Sequence, residues 1–213
     1  MTMFTPERGR ALWRSLVDNA AGLIVDAYVL YPTSPARAQS LIVLAQEELG
    51  KSEWVFDACW EGWKSGSGEP VNVPRLRDHG RSHIEKFATA HEASEIVRFF
   101  WTVPPDENFG ETVALSDGEV RDLYRRFARA ADADKQRGFY VDLQDDGTLS
   151  VPKSIDRPRL ADEIVIAAQL CLQVMHCDAL LADVDRDCMP DMVETLSLVR
   201  PISESRRPPW GTR

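Results

Sequence analysis

Apolar residues recur every three to four positions along five stretches of this chain, so the pattern predicts a helical protein. In the first, roughly residues 6 to 31, Leu12, Trp13, Leu16, Ala20, Leu23, Ile24, Ala27, Leu30 and Tyr31 form one stripe behind a Thr5 cap and Pro6. Asn19 and Asp26 lie seven apart on its border. The run YPTSPAR breaks this helix, and Ser34 and Pro35 open a second, antiparallel one.

That second helix, residues 36 to 64, is the longest and organises the rest. At about 100° per residue, Leu41, Leu44, Ala45, Ser52, Val55, Phe56, Cys59 and Trp63 share a face, with Glu48 inside it and Glu47 and Lys51 at its edge, spaced for an i,i+4 ion pair. A glutamate in an apolar stripe needs a partner or must keep its proton, so the reading turns on what meets Glu48. A Gly, Ser and Pro loop follows. A third helix is then expected from about Pro74 to Trp101, its face formed by Leu76, Ile84, Phe87, Ala90, Val97 and Trp101, with His83 at the centre and His79 one turn earlier.

Residues 102 to 115 read as a loop, and the capping box of Ser116 and Glu119 opens a fourth helix through Val120, Leu123, Tyr124, Phe127 and Ala131. Its Arg121, Arg125 and Arg129 read as a solvated face, since Asp122, Asp132 and Asp134 dilute them. Two short alternating runs around an Asp-Gly turn, near 139 to 152, predict a small β-hairpin packed on the bundle. From about Pro158 to Leu181 the chain is apolar nearly all round and predicts a helix enclosed by others, with His176 and Cys177 at the core edge. The expected organisation is one all-α domain over 1–187, a bundle of about five helices, then a polar, proline-rich tail over 188–213 with one short helix near 190 to 199.

Composition narrows the classes. The formal charge of −9 over 213 residues argues against a chain that coats nucleic acid or anionic membrane through bulk electrostatics, while leaving room for a local basic pocket; no DNA partner is expected. No segment reads as a signal peptide or membrane span. Cys59, Cys171, Cys177 and Cys188 show no CxxC pairing and read as reduced thiols. A cytoplasmic location without membrane contact is expected, and no cofactor is called for.

Three constellations compete for the chemistry. In Arg77-Asp78-His79-Gly80-Arg81-Ser82-His83, arginine supplies a fork of donors for phosphate oxygens, and a histidine that titrates near neutrality can move the protons of a phosphodiester without a metal. On a continuous helix, however, Arg77 and His83 point about 120° apart. His79 and His83 at i,i+4 also match zinc-ligand spacing, with Glu48 as a third ligand but without the glutamate of H-E-x-x-H. The third alternative is structural: Glu48, His83, Asn19 or Asp26, and Lys51 or Lys86 form a buried network that fixes helix register.

The segments N19-A-A-G-L-I-V-D26-A, L44-A-Q-E-E-L-G-K51, R77-D-H79 and R137-G-F-Y-V-D142, in this order, resemble the AbiV branch of the HEPN superfamily, abortive-infection proteins of bacteria. The resemblance covers about residues 10 to 180. It implies a helical bundle, phage defence, an attack on RNA or the translation machinery, and a homodimer with two motifs facing one cleft. It also implies an R-polar-x(3–5)-H motif without metal, which falls on Arg77, Asp78 and His83. The branch signature falls on Glu47, Glu48, Lys51, Asp78 and His79, leaving the operative histidine open. A phage protein as trigger, and a non-catalytic protein that blocks translation or senses phage, are the further expectations.

Overall fold

One helix, α2 (Pro35–Ser65), touches most of the others. In this computed structural model, which describes residues 3–100, 117–143, 145–152, 159–181 and 192–205, α2 packs against α1 (Pro6–Leu30), α4 (His83–Phe100), α5 (Asp117–Phe139) and α6 (Leu160–Leu181). A helix enclosed in this way has no single apolar face. Its buried positions accordingly run around the cylinder, from Ala38 and Ile42 through Gln46 and Glu47 to Trp54 and Cys59.

Local signals account for most helix ends. Thr5 Oγ1 accepts the Arg8 amide at the start of α1, and Gly66, at φ +68, closes α2 in the left-handed region that favours glycine. At the far ends of α1 and α2, Trp13, Phe56 and Trp63 form an aromatic cluster with Arg10 against two of its rings, and Arg10 also pairs with Asp178 of α6. A short antiparallel pair, β1 (Met3–Phe4) and β2 (Val71–Asn72), stands where the sequence reads only loop.

The expected third helix is two. α3 spans Pro74–His79 and α4 begins at His83. The chain turns at Gly80, whose Cβ position lies 2.2 Å from the Leu76 carbonyl oxygen, and Ser82 restarts it: Ser82 Oγ accepts the Glu85 amide at 3.3 Å. Val97 and Trp101, expected on the apolar face, the loop at 102 to 115, the Ser116 cap and Cys188 lie outside the residues described here at side-chain level.

The hairpin is present, β3 (Asp142–Leu143) against β4 (Leu149–Ser150), with Gly147 at φ +80 in its turn. It is not packed on the bundle: Tyr140, Val141, Leu143 and Leu149 are each more than 60% exposed. Its strands are two residues long, too short to carry an apolar face onto a helix. α6 is enclosed as expected. By length and composition it is the one helix among the described residues that could cross a membrane, and 67% of that window is buried inside the protein. The core also continues past residue 187, because Leu196, Val199 and Ile202 of α7 (Val193–Ser203) are buried against α1 and α6. The described residues thus form seven helices and two minute sheets, an all-α architecture.

Two glycines set how closely α2 is approached. A Cβ on Gly50 would lie 2.0 Å from the Lys86 carbonyl oxygen of α4, and one on Gly138 would lie 2.3 Å from the Ala36 carbonyl oxygen of α2. Gly50→Ala and Gly138→Ala should each destabilise by about 1–3 kcal/mol in denaturant titrations, since backbone must move apart. Gly22→Ala, in open space, should be neutral or stabilising by about 0.5–1 kcal/mol through helix propensity.

Candidate functional site

Val43 of α2, Phe87 of α4 and Ala128 of α5 form a small second core where three helices meet. One turn further along each helix the apolar residues give way to charge: Glu47 follows Val43, His83 precedes Phe87, and Lys135 follows Ala128 and Ala131. The polar cluster closes the end of that seam. Gly50 lets α4 approach and Gly138 lets α5 approach, while Ser40 Oγ donates to the Lys135 carbonyl oxygen at 2.9 Å.

Glu47, only 2% exposed, is the centre. Its Oε2 lies 2.6 Å from His83 Nδ1 and 3.0 Å from Lys86 Nζ, and its Oε1 accepts from Lys135 Nζ at 2.7 Å. Lys135 Nζ also reaches Asp132 Oδ1 at 2.8 Å. Burial pushes the Glu47 carboxyl pKa up, but the bonds from Lys135, His83 and Lys86 outweigh it and hold the group below its ordinary value. Burial works against the charge of Lys135 too; Asp132 and Glu47 overcome it and raise its pKa. Because Glu47 is ionised and can only accept, Nδ1 of His83 carries the hydrogen and Nε2 is the nitrogen left for other chemistry. The His83 side chain is 49% exposed, whereas those of Glu47, Lys86 and Lys135 are within 7% of fully buried.

The glutamate expected at the centre was Glu48, and the structure puts Glu47 there instead. Glu48 bonds Lys51 at 2.5 Å, one turn along α2 and partly exposed, so the i,i+4 pair expected for Glu47 and Lys51 is an i,i+3 pair of Glu48. The reason is the enclosure of α2: with neighbours on several sides, an apolar stripe does not mark its only buried side. Asn19 and Asp26 are exposed on α1 and stand outside the cluster's bonds. Lys86 belongs to it. Lys135 was not singled out, although Tyr124, Ala128, Ala131 and Lys135 continue one stripe at helical spacing.

The basic motif divides. Arg77 and Asp78 are exposed on α3 and form a bidentate pair with each other, at 2.6 and 2.8 Å. The break at Gly80 places His79 and His83 on different helices, so they do not share the zinc-binding face that i,i+4 spacing predicts. His79 lines a cavity of about 300 Å³ with Arg75, Arg125, Trp54 and Tyr124. Arg125, read from sequence as part of a solvated face, pairs with Glu85 at 3.0 Å. A second cavity of about 440 Å³ shares Arg75 and is lined by Glu53, Asp57 and Glu92. Burial, with Asp57 and Glu92 nearby, pushes the Glu53 pKa up to about 8. Among the described residues one set of side chains has metal-like convergence, Glu47, His83 and Asp132, with donor atoms within 4.8 Å of one another. Lys135 Nζ already bridges two of its carboxylates, so a cation there would compete with a built-in ammonium.

The HEPN_AbiV family model, AbiV, matches residues 9–173. The chain belongs to the AbiV family of HEPN proteins. The match runs from α1 into α6 and so contains every helix of the Glu47 cluster. It also gives the glycines of E-E-L-G-K and R-G-F-Y-V-D a physical role in this AbiV protein, because Gly50 on α2 and Gly138 on α5 are positions where the backbone of a neighbouring helix leaves no room for a Cβ. No curated protein and no solved structure matches the chain.

Three outcomes follow for stability. Glu47→Gln leaves buried ammoniums short of a counter-charge and should cost about 3–5 kcal/mol, whereas Glu48→Gln should cost less than about 1 kcal/mol; paired urea titrations decide which glutamate is central. Because the Glu47 pKa is lowered on folding, its contribution is present above the ordinary value of 4.5 and is lost as pH falls through the folded value. The acid-side decline in melting temperature should therefore shrink in Glu47→Gln. Glu53 has the opposite sign: stability is fully present below 4.5 and is lost as pH rises through about 8. Glu53→Gln should accordingly melt higher than wild type at pH 9 and lose that advantage by pH 4.5.

Proposed function

We propose that this AbiV-family chain is an abortive-infection effector that cleaves RNA, free or within the translation machinery, as a metal-independent endoribonuclease. The observation that carries the reading is the Glu47–His83 pair: a buried, ionised carboxylate grips Nδ1 of a histidine whose side chain is half exposed. A network serving only to fix helix register has no need to present its histidine to solvent. In the neutral ring, Nε2 accepts the proton of a ribose 2′-OH as that oxygen attacks phosphorus. In the protonated ring, Nε2–H donates to the departing 5′-oxygen. Arg77 holds the phosphate through its guanidinium fork, and Asp78, which grips that fork in the free protein, orients it.

Arg77 and His83 occupy separate helices, and the bonds of Arg77 run to Asp78 and not to the Glu47 cluster. The reading therefore includes a homodimer in which one subunit's Arg77 serves the other's His83, with a phage protein as trigger. The alternative is a binding protein that blocks translation or senses phage, for which the deep burial of Glu47, Lys86 and Lys135 is the supporting observation.

Purified protein, stripped of metal with chelator, is incubated with total RNA and ribosomes. Wild type should cleave discrete species; His83→Ala should lose at least about a hundredfold in rate, the usual scale for a proton-transfer residue, while keeping a wild-type melting curve. His79→Ala should cleave measurably. Intact RNA with a reporter still untranslated would sink the nuclease reading and favour the binder. For the dimer, an equimolar mixture of Arg77→Ala and His83→Ala should regain cleavage that neither has alone; no recovery would place both residues in one subunit's site.

A further inference from the structure

A lone carboxylate against an imidazole does two things at once: it orients the ring, and it favours the protonated form. A histidine kept permanently protonated can donate a proton but cannot take one. The surroundings of His83 separate these effects. Among the described residues, the charged groups that face it are Glu47 from α2, Asp132 and Lys135 from α5, and Lys86 from its own helix. Two negative and two positive charges cancel.

The two lysines are not equivalent. Lys86 shares Oε2 of Glu47 with His83, three residues away on the same helix. Lys135 holds the other oxygen, Oε1, at 2.7 Å and is itself fixed by Asp132 at 2.8 Å, its carbonyl tied to Ser40. It holds the carboxylate through Oε1, the oxygen that does not meet the imidazole, and so leaves Oε2 for Nδ1.

We infer that Lys135 is a positioning residue acting through Glu47: it locks the carboxylate that orients His83 and sets a positive charge against the negative one that the imidazole meets. Nδ1 is thereby committed to Glu47, and Nε2 is the nitrogen turned to substrate. For its part in catalysis this inference rests on the ribonuclease reading; the charge balance does not.

The test is an NMR titration of the His83 ring nitrogens in the full-length chain, assigned against His83→Ala, alongside the pH dependence of RNA cleavage. Lys135→Met and Lys135→Gln both remove the charge, and Gln keeps an N–H donor, so the experiment does not depend on one variant folding. Both should raise the His83 midpoint by about one pH unit, roughly tenfold in proton affinity. The rising limb of the cleavage profile should move up with it, and Lys135→Arg should restore both. A midpoint that stays or falls in the neutral variants would overturn the inference. If wild type cleaves no RNA while the midpoint still rises, the nuclease reading fails and the tuning by Lys135 stands.

Discussion

A buried carboxylate is among the more demanding groups a small protein can contain, and Glu47 dictates much of what surrounds it. Left alone it would cost on the order of several kcal/mol. Two neighbouring helices bring it partners: α4 supplies His83 and Lys86, and α5 supplies Lys135. Those partners reach it because α2 carries no side chain at Gly50 and α5 none at Gly138, so backbone meets backbone on either flank. The small Val43–Phe87–Ala128 core excludes water beneath. The low dielectric that makes the lone charge costly also makes its bonds stiff once they are all formed.

The same arrangement links the fold to the chemistry. His83 is the member that reaches solvent, and it does so with one nitrogen already committed to Glu47. Under the proposed function, the ring needs little reorganisation to meet a substrate proton. The cavity shared by His79, Arg75 and Arg125 lies on another side of α4, lined by Glu85, Ala88 and Thr89. The two histidines of one heptapeptide thus occupy different environments, one anchored in the cluster and one in a polar recess.

The helices α1, α5 and α6 were legible because each has one dominant apolar pattern, and the hairpin because Asp-Gly announces its turn. What was misread has physical causes. α2 is enclosed by four helices, so the position of greatest burial could not be inferred from its stripe, and a shift from Glu48 to Glu47 is a rotation of about 100°. The break at Gly80 was hidden because Leu76, Ile84 and Phe87 keep helical spacing across it, and the Ser82–Glu85 cap carried the missing signal. Lys135 was passed over because its charge reads as surface, although its spacing from Ala128 and Ala131 points inward. Tertiary pairing across 88 residues decided that position, and no local pattern encodes such a pairing. The AbiV resemblance, which rests on motifs instead of periodicity, already contained Glu47.

The break between α3 and α4 also separates two levels of order. α4 is anchored through Lys86 and Ala90 in the centre of the protein, whereas α3 has six residues, none of them buried, fewer than an isolated helix needs to persist in water. Arg77 thus rides on an element that a contact at the surface can settle or release at small free-energy cost, while His83 remains where the core holds it. Under the function proposed above, a site divided in this way is armed at its periphery without remodelling its interior.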